Sequence, residues 1–574
     1  MPLIFFMLLP LRIFRSRIAP HPPDDLKKNH FILVNSIFLC YIIADSKKHL
    51  FYKARGSERM KLDFVKNTKR NVIAKTIHQV FQLLFPFLNR TLFLWLLGPE
   101  YLGLNGLFAS VLGVLRLAEL GFGSAVGCSM FKLVARDDRE QICAALKLFR
   151  SLYHGVGIVI FGIGLCLLPF IRQIIHGDVP PGINIYILYL IHLINTSVGY
   201  FFFAYRGSIL TIHYRDDILT NISTSISVLQ YITVALILFF TRSYYYYVIA
   251  TVVFSILYNL MILLATKRLF PDIEPRGKTT RALKHRILMD SKSVFMHKIG
   301  GTVLSSGDNI VISSFLGLTA IAVYGNYNFI RLTVAGFVGV VAKTIRGGIG
   351  NRIHTETRDN VFLLFMKLHK LSMIGTVWSM AMMIALYQPF MRIWIKDDPA
   401  LMRHLLTPLL MAICFFVLQA RQMLQVFKEA ADIWHQDRWK PLCSAFLNLG
   451  LNILFVVVFP ENYKLDGVIL STILAILFID VPWETYIMFS LFFNAEQARD
   501  YLKLQTRFLF IAVVLSTATW YGANVIPIEG LPGLVVKGIV AAIISGSMTL
   551  AIFHSDIKAL IASVFKKDKK ALTQ

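Results

Sequence analysis

The chain has 574 residues, 56% of them hydrophobic and 16% charged, with a formal charge of +26 and a mean hydropathy of +0.61. A soluble domain is closer to half apolar and a quarter charged, so this composition excludes an ordinary soluble protein. The surplus of Lys and Arg reads as loop charge of a multi-span membrane protein, not as a nucleic-acid footprint.

The first 59 residues stand apart. Leu3 to Leu11 and Phe31 to Ala44 are apolar but short for a span. Arg12, Arg15 and Arg17 follow the first run, whereas a signal peptide carries its basic residues first. Residues 1–59 are read as an extension or a mis-called start, with the working protein expected from Met60.

From Met60 onward the apolar pattern predicts an all-α polytopic membrane protein with about 14 spans. The first six are expected near 71–97, 101–128, 146–171, 183–205, 218–241 and 244–266. Six more follow near 291–316, 319–342, 367–391, 401–424, 437–459 and 465–491, then a final pair near 505–526 and 533–554. If the segment before the first span is cytoplasmic and the spans alternate, inside segments hold about 37 Lys and Arg and outside loops about six. Both termini are therefore expected in the cytoplasm. The expected organisation is a first lobe over 60–266, a basic linker over 267–290, a second six-helix lobe over 291–491, a helix pair over 492–555 and a basic tail over 556–574.

The two lobes repeat a pattern, as pseudo-symmetric transporter halves do. Asn89-Arg90 precedes Leu97-Gly98, and Asp308-Asn309 precedes Leu316-Gly317; Asn89 and Asp308 each lie nine residues before the glycine. A Gly- and Tyr-containing helix start follows in both, GPEYLGLNGLF at 98–108 and GLTAIAVYGNYNF at 317–329.

Charges deep in the spans are costly and mark candidate sites. The cations are Arg90, Arg116 and Arg331; the anions are Glu119, Asp308, Asp480 and Glu484. Arg116 and Glu119 are three apart and can share a helix face, joined by Asn105. That pair reads equally well as a structural ion pair. Tyr324, Tyr327, Asn328 and Arg331 recur at threes and fours, as a polar face or as packing glue between helices. His297 lies on roughly the face of Asp308-Asn309 and is read more readily as a packing residue than as a proton relay. Asp480 and Glu484 flank Pro482, a candidate cation site because loosened carbonyls and carboxylates offer oxygen ligands. The six cysteines form no CxxC pair, so neither a disulfide framework nor a metal site is expected. HExxH, GxSxG and P-loop motifs are missing, and Gly347-Gly348-Ile349-Gly350 reads as a flexible helix end. Nothing here marks an enzyme.

The runs DNIVISSFLGLTAIAVYGNYNFI (308–330), NRTLFLWLLGPEYLGLNGLFASVL (89–112), LAELGFGSAV (117–126), GGIGN (347–351) and VPWETYIMF (481–489) resemble the Wzx-like oligosaccharide flippases of the multidrug/oligosaccharidyl-lipid/polysaccharide exporter superfamily. The resemblance covers about residues 60–555. It implies two lobes around a central cavity and carriage of a polyprenyl-diphosphate-linked glycan across the bacterial cytoplasmic membrane, often coupled to Na+ or H+. Polysaccharide polymerase and other assembly proteins are implied partners. On this reading Arg90, Arg116, Arg331, Asn105, Tyr324 and Asn328 line the path of the diphosphate, since Arg binds phosphate oxygens bidentately. Asp308, with Asn309, Glu119, His297, Asp480 and Glu484, serves coupling or charge balance. Asp308 either balances an arginine across the lobe interface, the role favoured, or binds the coupling cation. A multidrug/cation antiporter and a peptidoglycan-precursor flippase of the same superfamily are the alternatives. A membrane glycosyltransferase would carry larger catalytic loops than the roughly 25 residues available here.

Overall fold

The structure, a computed structural model, describes residues 64–116, 130, 133–134, 138–177, 179–279, 281–396, 398–431, 433, 436–556 and 558. Side chains are described for these except 64–69, 72, 282–283, 286–299, 304–305, 340–348, 351 and 354. The expected extension at 1–59 and most of the basic tail lie outside the described residues. Regular structure among the described residues is helical throughout.

The first lobe contains α1 (Phe64–Leu97), α2 (Pro99–Leu115), α3 (Arg139–Leu167), α4 (Ile185–Phe201), α5 (Gly207–Ile212), α6 (Asp216–Thr241) and α7 (Tyr244–Leu269). The second contains α8 (Arg281–Leu316), α9 (Leu318–Thr355), α10 (Arg358–Ile395), α11 (Leu406–Ala420), α12 (Gln422–Ala430), α13 (Lys440–Val458), α14 (Lys464–Ala475) and α15 (Val481–Leu491). A final pair follows, α16 (Ala495–Asn524) and α17 (Gly530–Ile552), packed against α10. From Asn71 onward the helices form one compact unit.

Among the described residues, ten helices are long and apolar enough to cross a membrane, or 11 if α4 and α5, bent by 43° at their break, form one span. The expected count of 14 is not confirmed by that measure. The expected spans at 101–128, 291–316 and 319–342 are the ones not found among the described residues. Residues 117–129 lie outside the described residues, and α2 alone has 17 residues. α8 and α9 are 36 and 38 residues long, but Asp308, Asn309, Asn326, Asn328 and Arg331 dilute their apolar runs. Phe446, Phe510 and Tyr486 stand more than two-thirds exposed on outward faces. In water such patches would drive association; against acyl chains they are at home. The protein is a multi-pass membrane protein.

Helix ends follow their local chemistry. Asp138 accepts a hydrogen bond from the Gln141 N–H to start α3, and Asn494 with Gln497 forms a reciprocal capping box at α16. Three of the expected boundaries shift. α8 begins at Arg281, so helix takes up much of the expected 267–290 linker. α10 runs from Arg358, nine residues before the expected span, because a charged amphipathic turn continues the helix where hydropathy falls. The expected span at 401–424 is broken at Arg421 into α11 and α12.

The repeated corners are alike in backbone. Gly98 has φ 101° and ψ 173°, and Gly317 has φ 85° and ψ −178°, each directly between two helices. A side chain there would be strained, so the glycine in each repeat answers a geometric need. α2 then lies against both α8 and α9. The approach is tightest at Gly103, where an added Cβ would sit 1.9 Å from the Leu318 carbonyl oxygen. Lobe meets lobe, backbone to backbone, just beyond the two corners.

Candidate functional site

Among the described residues, three polar centres involve the expected site residues. The first clasps the lobes near the corners. Arg90 on α1 donates through Nε to Asn326 Oδ1 at 2.7 Å and through Nη2 to the Ala322 carbonyl at 3.4 Å, both on α9. Gly325 makes room for it: a Cβ there would sit 2.6 Å from Nη2. Asn309 on α8 reaches the other way and donates to Ser110 Oγ on α2 at 2.8 Å. Each repeat thus sends the residue after its Asn or Asp into the other lobe. Trp394 donates to Thr91, Trp95 donates to the Trp394 carbonyl, and His176 N–H donates to the Ser313 carbonyl nearby.

The second centre is Asp308, the acid that opens the run at 308–330. Asp308 is 3% exposed. Its carboxylate accepts from Tyr324 Oη at 2.9 Å, Asn452 Nδ2 at 2.8 Å and Thr472 Oγ1 at 3.3 Å. Asn452 and Asn448, one turn apart on α13, extend the network to Ser471 and Thr472 on α14. Three neutral donors satisfy the carboxylate, as burial demands. Arg331 lies within electrostatic reach of Asp308. Its own Nε and Nη2 both donate to Asn328 Oδ1, at 2.9 and 2.7 Å. The remaining N–H groups of this half-buried guanidinium have no protein partner among the described residues.

The third centre is a closed ionic cluster. Arg421, at the α11–α12 break, pairs with Glu484 at 2.7 Å and with Asp480. Lys428 pairs with Asp437, and Lys440 with Glu484 and, at 3.6 Å, with Asp437. All six residues are buried, three cations against three anions. The π-helical turn Ile476–Asp480 ahead of Pro482 turns Asp480 into the cluster.

The expected site residues are therefore dispersed. Asp308, Tyr324, Asn328 and Arg331 gather on α8 and α9. Arg90 is taken up by the lobe clasp. Asn105 accepts from Tyr244 Oη at 3.2 Å and does not join an Arg116 stripe. Arg116 caps α2 and is exposed, while Glu119 and the side chain of His297 lie outside the described residues. Asp480 and Glu484 balance charge, but arginine and lysine occupy the oxygens that a metal cation would need. Among the described residues no cluster of three His, Cys, Asp or Glu side chains is arranged to hold a metal. The partners Asn326, Asn452, Thr472, Arg421, Lys428, Lys440 and Asp437 were not among the expected residues. A signal was present in Asn448 and Asn452, four apart in an apolar span.

A family model described as polysaccharide biosynthesis protein matches residues 68–345. The resemblance to the polysaccharide exporters thus stands on a match that spans the first lobe and the α8–α9 hairpin. No curated protein matches the sequence. Among solved structures, the lipid II flippase MurJ in an inward closed conformation aligns with TM-score 0.61 at 16% identity, covering 85% of this chain and 99% of that one. An inward-facing multidrug resistance MATE transporter of the MOP superfamily aligns with TM-score 0.55 at 14% identity, over 71% of this chain and 94% of the other. The chain therefore has the fold of these two transporters.

Proposed function

We propose that this protein is a flippase that carries a polyprenyl-diphosphate-linked oligosaccharide across the bacterial cytoplasmic membrane, for surface polysaccharide assembly, with both termini in the cytoplasm. The observation that carries the reading is Arg331: a half-buried guanidinium, about 20 Å along α9 from the Gly317 corner, with N–H groups to spare. A diphosphate is a compact anion suited to such a fork. Arg116, exposed at the far end of α2, offers a second contact. The polyprenyl chain stays in the bilayer while the glycan takes a wet path between the lobes. Asp308, poised near Arg331, tunes that charge or takes the coupling Na+ or H+.

The test is Arg331→Ala in a flippase-null strain, with membrane abundance and surface polysaccharide measured together. Export should collapse while the protein remains in the membrane. Full export by a normally abundant variant would refute the arginine-lined path. The MurJ fold match keeps a peptidoglycan-precursor flippase in view, since that lipid also carries a diphosphate. Rescue of a strain depleted of its lipid II flippase would favour that cargo. Drug resistance on overexpression would favour a multidrug antiporter.

A further inference from the structure

A separate cavity of about 710 Å³ lies between α10, α11, α16 and α17, and Asp308, Arg331 and Arg90 are not among its lining residues. Its size falls within the range of small-molecule sites. The walls are apolar, with Met380, Ile384, Leu409, Ile413, Val513 and Leu534 among them. Leu409 and Val513 are exposed on the outward surface of the bundle, where acyl chains lie.

One end of the cavity is charged. α10 stops at Ile395, α11 starts at Leu406, α16 stops at Asn524 and α17 starts at Gly530, so four helix ends meet there. Arg392, Arg403 and Lys537 line that end, against a single lining carboxylate, Glu529. Glu529 pairs with Arg392 at 3.6 Å. Arg403 leans on Asp466 at 3.9 Å, and its Nε is buried with no hydrogen-bond partner. Lys537 sits seven residues into α17, about 10 Å below its start, and pairs with no carboxylate among the described residues. Trp520 lines the same end, at the depth where an indole marks the membrane interface.

We propose that this cavity is a binding site for an anionic glycerophospholipid, resident beside the transport path and not carried along it. The acyl chains lie along the apolar wall, and the phosphate meets Lys537 and the exposed part of the Arg403 side chain, whose Nη2 already donates to the Asn462 carbonyl. Charge complementarity selects the occupant: a cation at this depth is costly alone and is matched by a lipid phosphate at the same level. Seated there, the lipid wedges the final helix pair against α10 and α11.

Brominated acyl chains quench a tryptophan they touch, which gives the test. The purified full chain is reconstituted in vesicles of phosphatidylcholine containing brominated phosphatidylglycerol or brominated phosphatidylcholine. The Trp520 signal is taken as the difference between the protein and Trp520→Phe. The anionic lipid should quench it at lower mole fraction than the zwitterionic lipid. Lys537→Gln should lower that preference about fivefold, the loss expected for one cation beside an anionic lipid, and Lys537→Arg should keep it. Equal quenching by both lipids, or a preference untouched in Lys537→Gln, would overturn the site.

Discussion

Arg421 and Arg331 are both deep guanidinium groups of the second lobe, and they are held in opposite ways. Arg421 is 6% exposed and clamped by two carboxylates in a six-charge cluster. Arg331 is half-buried and spends two N–H groups on one neutral amide oxygen. A fully paired charge is a structural part, because removing either partner leaves the other stranded. A charge with donors in reserve can take an anion without first losing a protein partner. The difference separates what braces the α11–α15 region from what can meet a passing headgroup.

The widest gap between the two regions should appear in stability. Glu484→Ala strands Arg421, Lys428 and Lys440 with two anions between them and is expected to cost about 3–5 kcal/mol. Thermal unfolding in detergent, or the abundance of folded protein in membranes, would report it. The double variant Arg421→Met with Glu484→Met leaves two cations and two anions and should recover much of the loss. If the single variant is as stable as the parent, the cluster is not a brace and the contrast with Arg331 falls.

Arg331→Lys sharpens the other side. Lysine keeps the charge but loses the planar fork, so it cannot bind two phosphate oxygens in parallel. Apparent affinity for the proposed lipid-linked substrate should fall about tenfold, the equivalent of one charge-assisted hydrogen bond. Stability should move by less than about 0.5 kcal/mol. Unchanged export across limiting substrate levels would place Arg331 with the structural arginines.

Arg90 belongs with Arg421 on this scale, not with Arg331. Its bonds to Asn326 and Ala322 join α1 to α9 across the lobes. Arg90→Met strips the buried Asn326 amide of its charged partner and should destabilise the protein by about 1.5–3 kcal/mol. Adding Asn326→Leu should return part of that. A loss of export with no loss of stability would instead restore Arg90 to the substrate path expected of it from the sequence.

Much of this was legible before any fold was known, and the pattern of misses is physical. The Gly98 and Gly317 corners could be read because each answers a local need, a positive φ between two helices. The depth of Asp308 could be read because a carboxylate within an apolar run is costly wherever it points. Its partners could not, since Asn452 and Thr472 are 144 and 164 residues away and no local rule brings them there. Arg421, Lys428 and Lys440 looked like ordinary charges at span ends. Only the break at Arg421 and the π turn before Pro482 fold them inward. For the same reason Arg90, Arg116 and Arg331 suggested one arginine-lined path, although one of them serves the lobe contact.

The smallest effect tests the repeat itself. Asn309 occupies the position in the second repeat that Arg90 occupies in the first, and each reaches into the opposite lobe, Asn309 through a single neutral bond to Ser110 at 2.8 Å. Asn309→Ala should therefore cost only about 1 kcal/mol. If the two clasps are separate fasteners, the costs of Asn309→Ala and Arg90→Met should add within about 0.5 kcal/mol. If they hold one cooperative closure, losing the first already opens the second, and the double variant will be less damaged than the sum. Hydrogen exchange at 98–110 and 309–321 reads this directly. Additive costs with protection lost only beside the altered residue mean two independent contacts. A shared loss at both corners means that the lobes part there as one unit, the motion that alternating access requires of this end.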